Sequence, residues 1–320
     1  MTDADRIRLA EAFRIAERIG NRVWSGWNKA PFAVDLISSE YEFLVGHPNP
    51  PADFQRLAAA ERRHPEGRGS DGPLLGDVYF RKRVFQRDFL ASFPLNGVAT
   101  IMVGQAESTE AKSSTPWVVA VLHEHFHQLQ YSRPGYYSQL SGLGLAHGDQ
   151  TGSWILNFPF PYKEPEVDTA FSALCRVLAE ALEAGGTKQF QKKFSAYLES
   201  RKSFAARLRP DDYKYYSFQL WQEGVARYTE YRVARLAASK YVPTEDFRSL
   251  PDFSPFERVA DSILKRIQSQ LRTISLAKQQ RESFYAVGAA EAMLADLNRS
   301  KWQQRYFAEK FSTDQYFTGK

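Results

Sequence analysis

The stretch VVAVLHEHFHQLQ, Val118 to Gln130, places three of the chain's six histidines between positions 123 and 127, with a glutamate among them. Just ahead, Thr115 and Pro116 predict a helix start, with Thr115 as its N-terminal cap and Pro116 at the first helical position. Arg133-Pro134-Gly135 predicts its end. Trp117, Val118, Val119, Val121, Leu122, Phe126 and Leu129 fall all round the helix, so it reads as a central element buried on every side. Imidazoles and a carboxylate are costly to bury without partners, and their concentration in such an apolar segment points to a metal. His123 and His127 are four positions apart, one above the other on one helical face, and H-E-x-x-H is the pattern by which such a pair binds zinc. Glu124 lies roughly 100° round from His123, within reach of a zinc-activated water without being a ligand. His125 points roughly 200° away and is expected to pack or to hydrogen-bond on the far side.

Catalytic zinc usually keeps three protein ligands and a water. The extended motif H-E-x-x-H-x-x-G-x-x-H requires a glycine and a histidine where this chain has Gln130 and Arg133, which excludes that class. Downstream, His147 and Asp149 stand in LGLAHGDQTG, and Glu223 stands in LWQEGVARYTEY, Leu220 to Tyr231, inside a strong helical pattern. H-E-x-x-H followed by W-x-E-G-x-A-x-Y-x-E resembles the gluzincin metallopeptidases, particularly their large aminopeptidase branch. The resemblance covers 97–131, 220–231 and 281–307. It implies that Glu223 is the third zinc ligand and that Gly224 lets two helices pack closely near the metal. It also implies that Glu230, two turns beyond Glu223, orients a ligand from behind. Tyr285, in RESFYAVGAAEAML, matches the oxyanion donor of that branch and is followed by the small residues Gly288 and Ala289. Tyr228 and Arg281 are the alternatives for that role. The segment between His127 and Glu223 is much longer than the family's usual spacing. The strand Gly97 to Val103, expected as the edge strand before the zinc helix, also lacks the glutamate with which the aminopeptidases grip a free amine. Such a strand can still pair with an extended peptide.

The remaining sequence sets the frame. With 320 residues, 43% hydrophobic and 14% aromatic, the chain is long enough for one large or two intimate domains. A mean hydropathy of −0.47, with no apolar run of about eighteen residues, excludes a membrane-spanning helix. The net charge of +5 comes from 42 basic and 37 acidic residues in scattered positions, so no nucleic-acid footprint is expected. Cys175 is the single cysteine, which excludes an intramolecular disulfide and a multi-cysteine metal site, and it reads as a small buried hydrophobe.

Periodicity predicts a helix over 3–20 stopped at Gly20-Asn21, and strands at 32–37, 41–45, 76–81 and 97–103. A Gly/Pro/charge loop is expected at 62–76 and a long loop at 134–165. Helices are expected at 166–184, 187–207, 211–238 and 255–296, the last broken near 280–283. The fold class is therefore α+β, with a small, mostly antiparallel N-terminal sheet and the H-E-x-x-H helix at 1–135 and a helical part at 136–320; the resemblance implies that it is zincin-like and that the helical part supplies the third ligand. His47 and His64, each beside a proline, read as exposed loop residues. Tyr213, Tyr215, Tyr216, Phe218 and Trp221 read as core packing, and Arg227 as a structural partner of Glu230.

The sequence reading is a zinc metallopeptidase with one Zn²⁺ per chain held by His123, His127 and Glu223, Glu124 as general base, and a peptide or protein as substrate. Two alternatives accompany it: a zincin-like metal-binding protein without peptidase activity, and a metal-free helical interaction domain. The N-terminal stretch has no apolar core of the signal-peptide type, so a cytoplasmic chain is expected, with export of a trimmed precursor as the alternative.

Overall fold

In the computed structural model, which describes residues 1–57 and 75–317, contacts divide the chain into two compact units. Met1–Ser132 and Arg232–Asp261 form the first, Arg133–Tyr231 and Ser262–Lys320 the second. The sequence division at 135/136 had left residues 232–261 with the C-terminal part; by contact they group with the first unit. The loop read at 62–76 lies outside the described residues except for Leu75 and Gly76, and so does His64.

The architecture is α+β. In chain order the helices are α1 (Asp3–Val23), α2 (Ser114–Tyr131), α3 (Tyr136–Ser141), α4 (Trp154–Asn157), α5 (Pro165–Glu183), α6 (Phe190–Ala205) and α7 (Pro210–Gln219). They continue with α8 (Val225–Lys240), α9 (Glu245–Arg248), α10 (Phe256–Thr273), α11 (Leu276–Gln279), α12 (Ser283–Leu297) and α13 (Trp302–Arg305). Among the described residues, no helix is long and apolar enough to cross a membrane.

In the first unit, six strands form one mixed sheet: β1 (Ala33–Ile37), β2 (Tyr41–Val45), β3 (Gln55–Arg56), β4 (Val78–Lys82), β5 (Leu90–Leu95) and β6 (Val98–Gly104). Their order is β3-β4-β2-β1-β6-β5. β1 and β6 run parallel, with Ala33 opposite Thr100; the other pairs are antiparallel. β5 and β3 were missed in the sequence. β3 is two exposed residues with no pattern to read. β5 had a signal: Asn96 and Gly97, both with positive φ (45° and 79°), make a two-residue turn between Leu95 and Val98. An Asn-Gly pair between strands is the usual sign of a tight hairpin. Pro94 hides the strand, since proline weakens a strand reading, yet it is tolerated at a sheet edge.

One expectation is therefore corrected. β6 is not an edge strand: β1 and β5 flank it on both sides, and among the described residues β5 is the edge.

α1 begins with a capping box. The Thr2 hydroxyl accepts from the Asp5 backbone N–H, and the Asp5 carboxylate accepts from the Thr2 N–H. Gly20 does not stop this helix; its open side is filled by the Trp27 ring, and α1 runs three residues further. α2 starts two residues earlier than expected, with Ser113 in the N-cap position. Thr115 cannot cap because its hydroxyl is spent across the fold, donating to the Ser254 carbonyl at 2.7 Å and accepting from the Ser254 N–H at 3.2 Å. From Val121 to Gln130 every residue of α2 is buried, as the all-round apolar pattern predicted. His47 corrects another expectation. It is buried rather than exposed, with Nδ1 accepting from the Asn49 N–H and Nε2 3.0 Å from the Leu95 carbonyl; burial holds its pKa below the ordinary value.

The second unit is helical. The stretch expected as a loop at 134–165 contains α3 and α4 and ends in α5, which opens with Pro165 in its first turn. α7 passes into α8 through a π-helical turn, Leu220–Gly224, where the sequence predicted one uniform helix over 211–238. The helix predicted over 255–296 breaks after Thr273, and again at Gln280, whose φ of 48° is left-handed. Tyr215, Tyr216, Phe218 and Trp221 are buried core residues, as is Cys175.

Candidate metal centre

Within the first unit, α2 presents His123 and His127 on one face, and their Nε2 atoms stand 3.2 Å apart with the rings inclined at 75°. One ligand-type atom from each of His123, Glu124 and His127 lies within 4.8 Å of the others, and all three residues are buried. The Oε2 atom of Glu124 has no hydrogen-bond partner although it is cut off from solvent. An unsatisfied buried carboxylate oxygen is expensive unless something else engages it. Two imidazole nitrogens and this oxygen form a donor set that suits a divalent metal ion of the N/O-binding kind and a water beside it. The group can therefore hold a metal.

His127 is oriented from behind. Its Nδ1 lies 2.6 Å from Oε1 of Gln130, one turn further along the helix, so Nδ1–H donates to the amide oxygen and Nε2 keeps its lone pair. His125 faces elsewhere, as expected. Its ring stacks on Phe32 at 3.8 Å and on Trp27 at 5.6 Å, and Nδ1 lies 2.9 Å from Oε1 of Gln128. Gln128 then donates from Nε2 to the carbonyls of Ala33 and Ala99, at 2.8 Å each, tying the helix to β1 and β6 together. Burial pushes the His125 pKa down to about 4, so the ring is neutral near pH 7. Ser92 of the edge strand β5 donates to the Glu124 carbonyl at 3.2 Å.

The second unit assembles the other candidates around the π-helical turn. Glu223 sits on that turn, a feature found often at functional sites because it widens the helix locally. Its Oε1 is 3.7 Å from Nη1 of Arg281, and the same Nη1 donates to the Tyr285 hydroxyl. Burial, reinforced by the Glu223 charge, pushes the Tyr285 pKa well above the ordinary tyrosine value, so it remains a neutral phenol and a donor. Gly224 and Gly288 explain each other. A Cβ on Gly224 would come within 2.4 Å of the Gly288 Cα, and one on Gly288 within 2.6 Å of the Leu220 carbonyl oxygen. The close helix crossing expected at Gly224 is thus present, with Gly288 as its partner.

Glu230 accepts from Arg227 at 2.9 Å, the pairing expected for Arg227, and from Arg266 at 3.2 Å. The Arg227 guanidinium lies 5.9 Å from the centre of the Tyr285 ring. The remaining alternatives have local duties. Asp149 accepts hydrogen bonds from Thr151, Ser153 and Trp154, which hold its carboxyl well below the usual range. His147 has a φ of 46° and lies over Phe158, and the Tyr228 hydroxyl donates to Asp296.

The structure thus brings together His123, Glu124 and His127 in one unit, and Glu223, Tyr285 and Arg281 in the other. Sequence reasoning missed Gln128 and Gln130; the spacing of three residues from His125 and His127 was the available signal. The π-helical turn had no signal, since its residues fit an ordinary helix. No family model, no curated protein and no solved structure matches the chain.

Proposed function

We propose that the chain is a zinc-dependent metallopeptidase. The observation that carries the proposal is the buried, unpartnered Oε2 of Glu124 beside the converging Nε2 atoms of His123 and His127. His123 and His127 are the proposed zinc ligands on α2. The motif in 220–231 names Glu223 as the third, and the π-helical turn that carries it supports a functional role. Zinc, when bound, supplies Lewis acidity that activates water and polarises a carbonyl.

Glu124 is the general base. It takes a proton from water as the oxygen bonds to the scissile carbonyl carbon, and returns it to the nitrogen as the C–N bond breaks. Tyr285, held protonated, is the proposed donor to the tetrahedral oxygen. Glu230 is proposed to act indirectly, through Arg227 and the Tyr285 ring. An extended peptide is proposed to pair with β5, the edge strand beside α2, in place of the strand at 97–103.

The test is the Glu124→Gln variant, assayed for peptide hydrolysis and for metal by elemental analysis. Zinc near one equivalent with turnover lost is the expected result. A fully active variant would remove Glu124 from the mechanism. Zinc-free wild-type protein, unchanged in stability by a chelator, would favour the metal-free reading.

A further inference from the structure

We infer that Gln130 is the positioning residue of His127: its amide oxygen fixes which imidazole nitrogen carries the proton and so which one is free for a metal. His123, His127 and Gln130 follow one another at i, i+4 and i+7 along a single face of α2. Gln130 is fully buried, and its Oε1 stands 2.6 Å from Nδ1 of His127. An amide oxygen only accepts, so Nδ1 must be the protonated nitrogen. The lone pair of Nε2 is then directed along the opposite edge of the ring, the edge that meets Nε2 of His123 at 3.2 Å.

The choice of an amide matters. A ligating histidine commonly donates its other N–H to a carboxylate, a carbonyl or water, and a carboxylate makes the imidazole the stronger base. Gln130 sets the orientation without adding a negative charge, so Glu124 is the one acidic residue in the buried group with His123 and His127. The same helix shows what glutamine does where no metal is proposed. Gln128 also receives a histidine N–H three residues back, but its amide nitrogen is committed to two strand carbonyls. In α2, glutamine three residues on is thus a repeated way of locking an imidazole, and only the lock on His127 leaves Nε2 turned toward a second histidine.

This inference rests on reading His127 as a metal ligand, and the experiment separates the two. Zinc affinity is measured by competition with a chromophoric chelator on the full chain. Urea unfolding is followed on the metal-stripped protein, and the His127 tautomer is read by ¹⁵N NMR of the imidazole nitrogens. Wild-type metal-free protein should carry the His127 proton on Nδ1. Gln130→Ala should weaken zinc binding by about 10- to 100-fold and leave a mixed tautomer. Gln130→Glu should bind zinc at least as tightly as wild type while unfolding at lower urea, because it buries a charge. A purely structural glutamine would lower affinity and stability together in both variants, and that result would overturn the positioning role. So would a wild-type His127 protonated on Nε2, which needs no variant to detect. Failure of the wild-type chain to bind zinc would sink the metal reading itself, whereas zinc binding indifferent to Gln130 would sink only this inference.

Discussion

The two faces of α2 carry nearly the same side chains and use them in opposite ways. On one, His125 stacks on the rings of Phe32 and Trp27 and is held by Gln128, whose amide nitrogen makes two further hydrogen bonds that join the helix to two strands. On the other, His127 and Gln130 make the same contact, but His123 turns its Nε2 toward that of His127, and Glu124 keeps a buried oxygen without a partner. A histidine that serves the fold spends its polar atoms on the fold. His127, the proposed ligand, is held by one nitrogen while the other faces Nε2 of His123.

The largest effect that would break this contrast is on turnover. Glu124→Gln keeps the shape of the side chain and removes its basicity, so peptide hydrolysis should fall by about 10²- to 10⁴-fold, with bound zinc unchanged. Steady-state kinetics beside elemental analysis measure both. Loss of metal instead of rate would make Glu124 a ligand and erase the distinction between it and the histidines.

The next effect separates the histidines. His125→Ala leaves the Gln128 amide oxygen without its donor and removes a stacked ring, which should cost about 2–4 kcal/mol in urea unfolding. It should leave zinc stoichiometry intact. His123→Ala should do the reverse, abolishing zinc binding with a smaller change in the stability of the metal-free chain. If both variants lose metal and stability alike, the two faces are not functionally distinct.

Asp35 sharpens the comparison because it is another buried carboxylate with no hydrogen-bond partner, and it lies on β1 rather than on α2. Its neighbours differ from those of Glu124: the Glu42 carboxylate and, at 3.9 Å, the Arg81 guanidinium. Burial, and then the Glu42 charge, pushes its pKa up to about 8 from an ordinary 3.8. Between those values the folded chain holds a proton that the unfolded chain has released, so raising the pH favours unfolding. Wild-type stability should therefore fall from pH 4 toward pH 8 relative to Asp35→Asn. By pH 8 the variant should be the more stable by about 1–3 kcal/mol, with zinc binding unaffected. A flat difference between the two melts across that range would show that Asp35 is already ionised. An unpartnered oxygen marks chemistry, on this view, only in the company of other metal-binding donors.

Much of this was legible in the sequence, because helical spacing is a local property. H-E-x-x-H placed His123 and His127 together and sent His125 to the far side, and the uniform apolar surround of α2 announced a buried helix. The strands β1 and β2 were equally plain, expected at 32–37 and 41–45 and found at Ala33–Ile37 and Tyr41–Val45. What escaped depends on partners distant in sequence. Thr115 looked like a cap until Ser254 claimed its hydroxyl. β6 looked like an edge because Pro94 obscured β5, although Asn96-Gly97 marked the hairpin between them. His47 looked like a loop residue because nothing local reveals that the Leu95 carbonyl lies against its ring. The π-helical turn at Glu223 is one inserted residue's worth of geometry that composition does not encode.

The smallest effect probes how tightly the fold-serving face is built. Gly20 lies within α1, and the three nearest atoms to a Cβ built on it belong to Trp27, at 3.6 to 3.8 Å, an ordinary packing distance. Trp27 in turn stacks on His125 and donates from its indole N–H to the His125 carbonyl at 3.3 Å. Glycine inside a helix costs about 0.5–1 kcal/mol relative to alanine, and here its φ is not left-handed, so nothing in the backbone demands it. Gly20→Ala should therefore stabilise the chain by about that amount in urea unfolding, adding a methyl contact to Trp27 without moving the ring. Zinc affinity should not change, because the Trp27 and His125 side of α2 does not reach the Nε2 atoms of His123 and His127. A destabilised variant would mean that the indole has no room to give. A shift in zinc affinity would mean that packing under His125 is transmitted along the helix to the opposite face, and the two faces would then have to be treated as one coupled element.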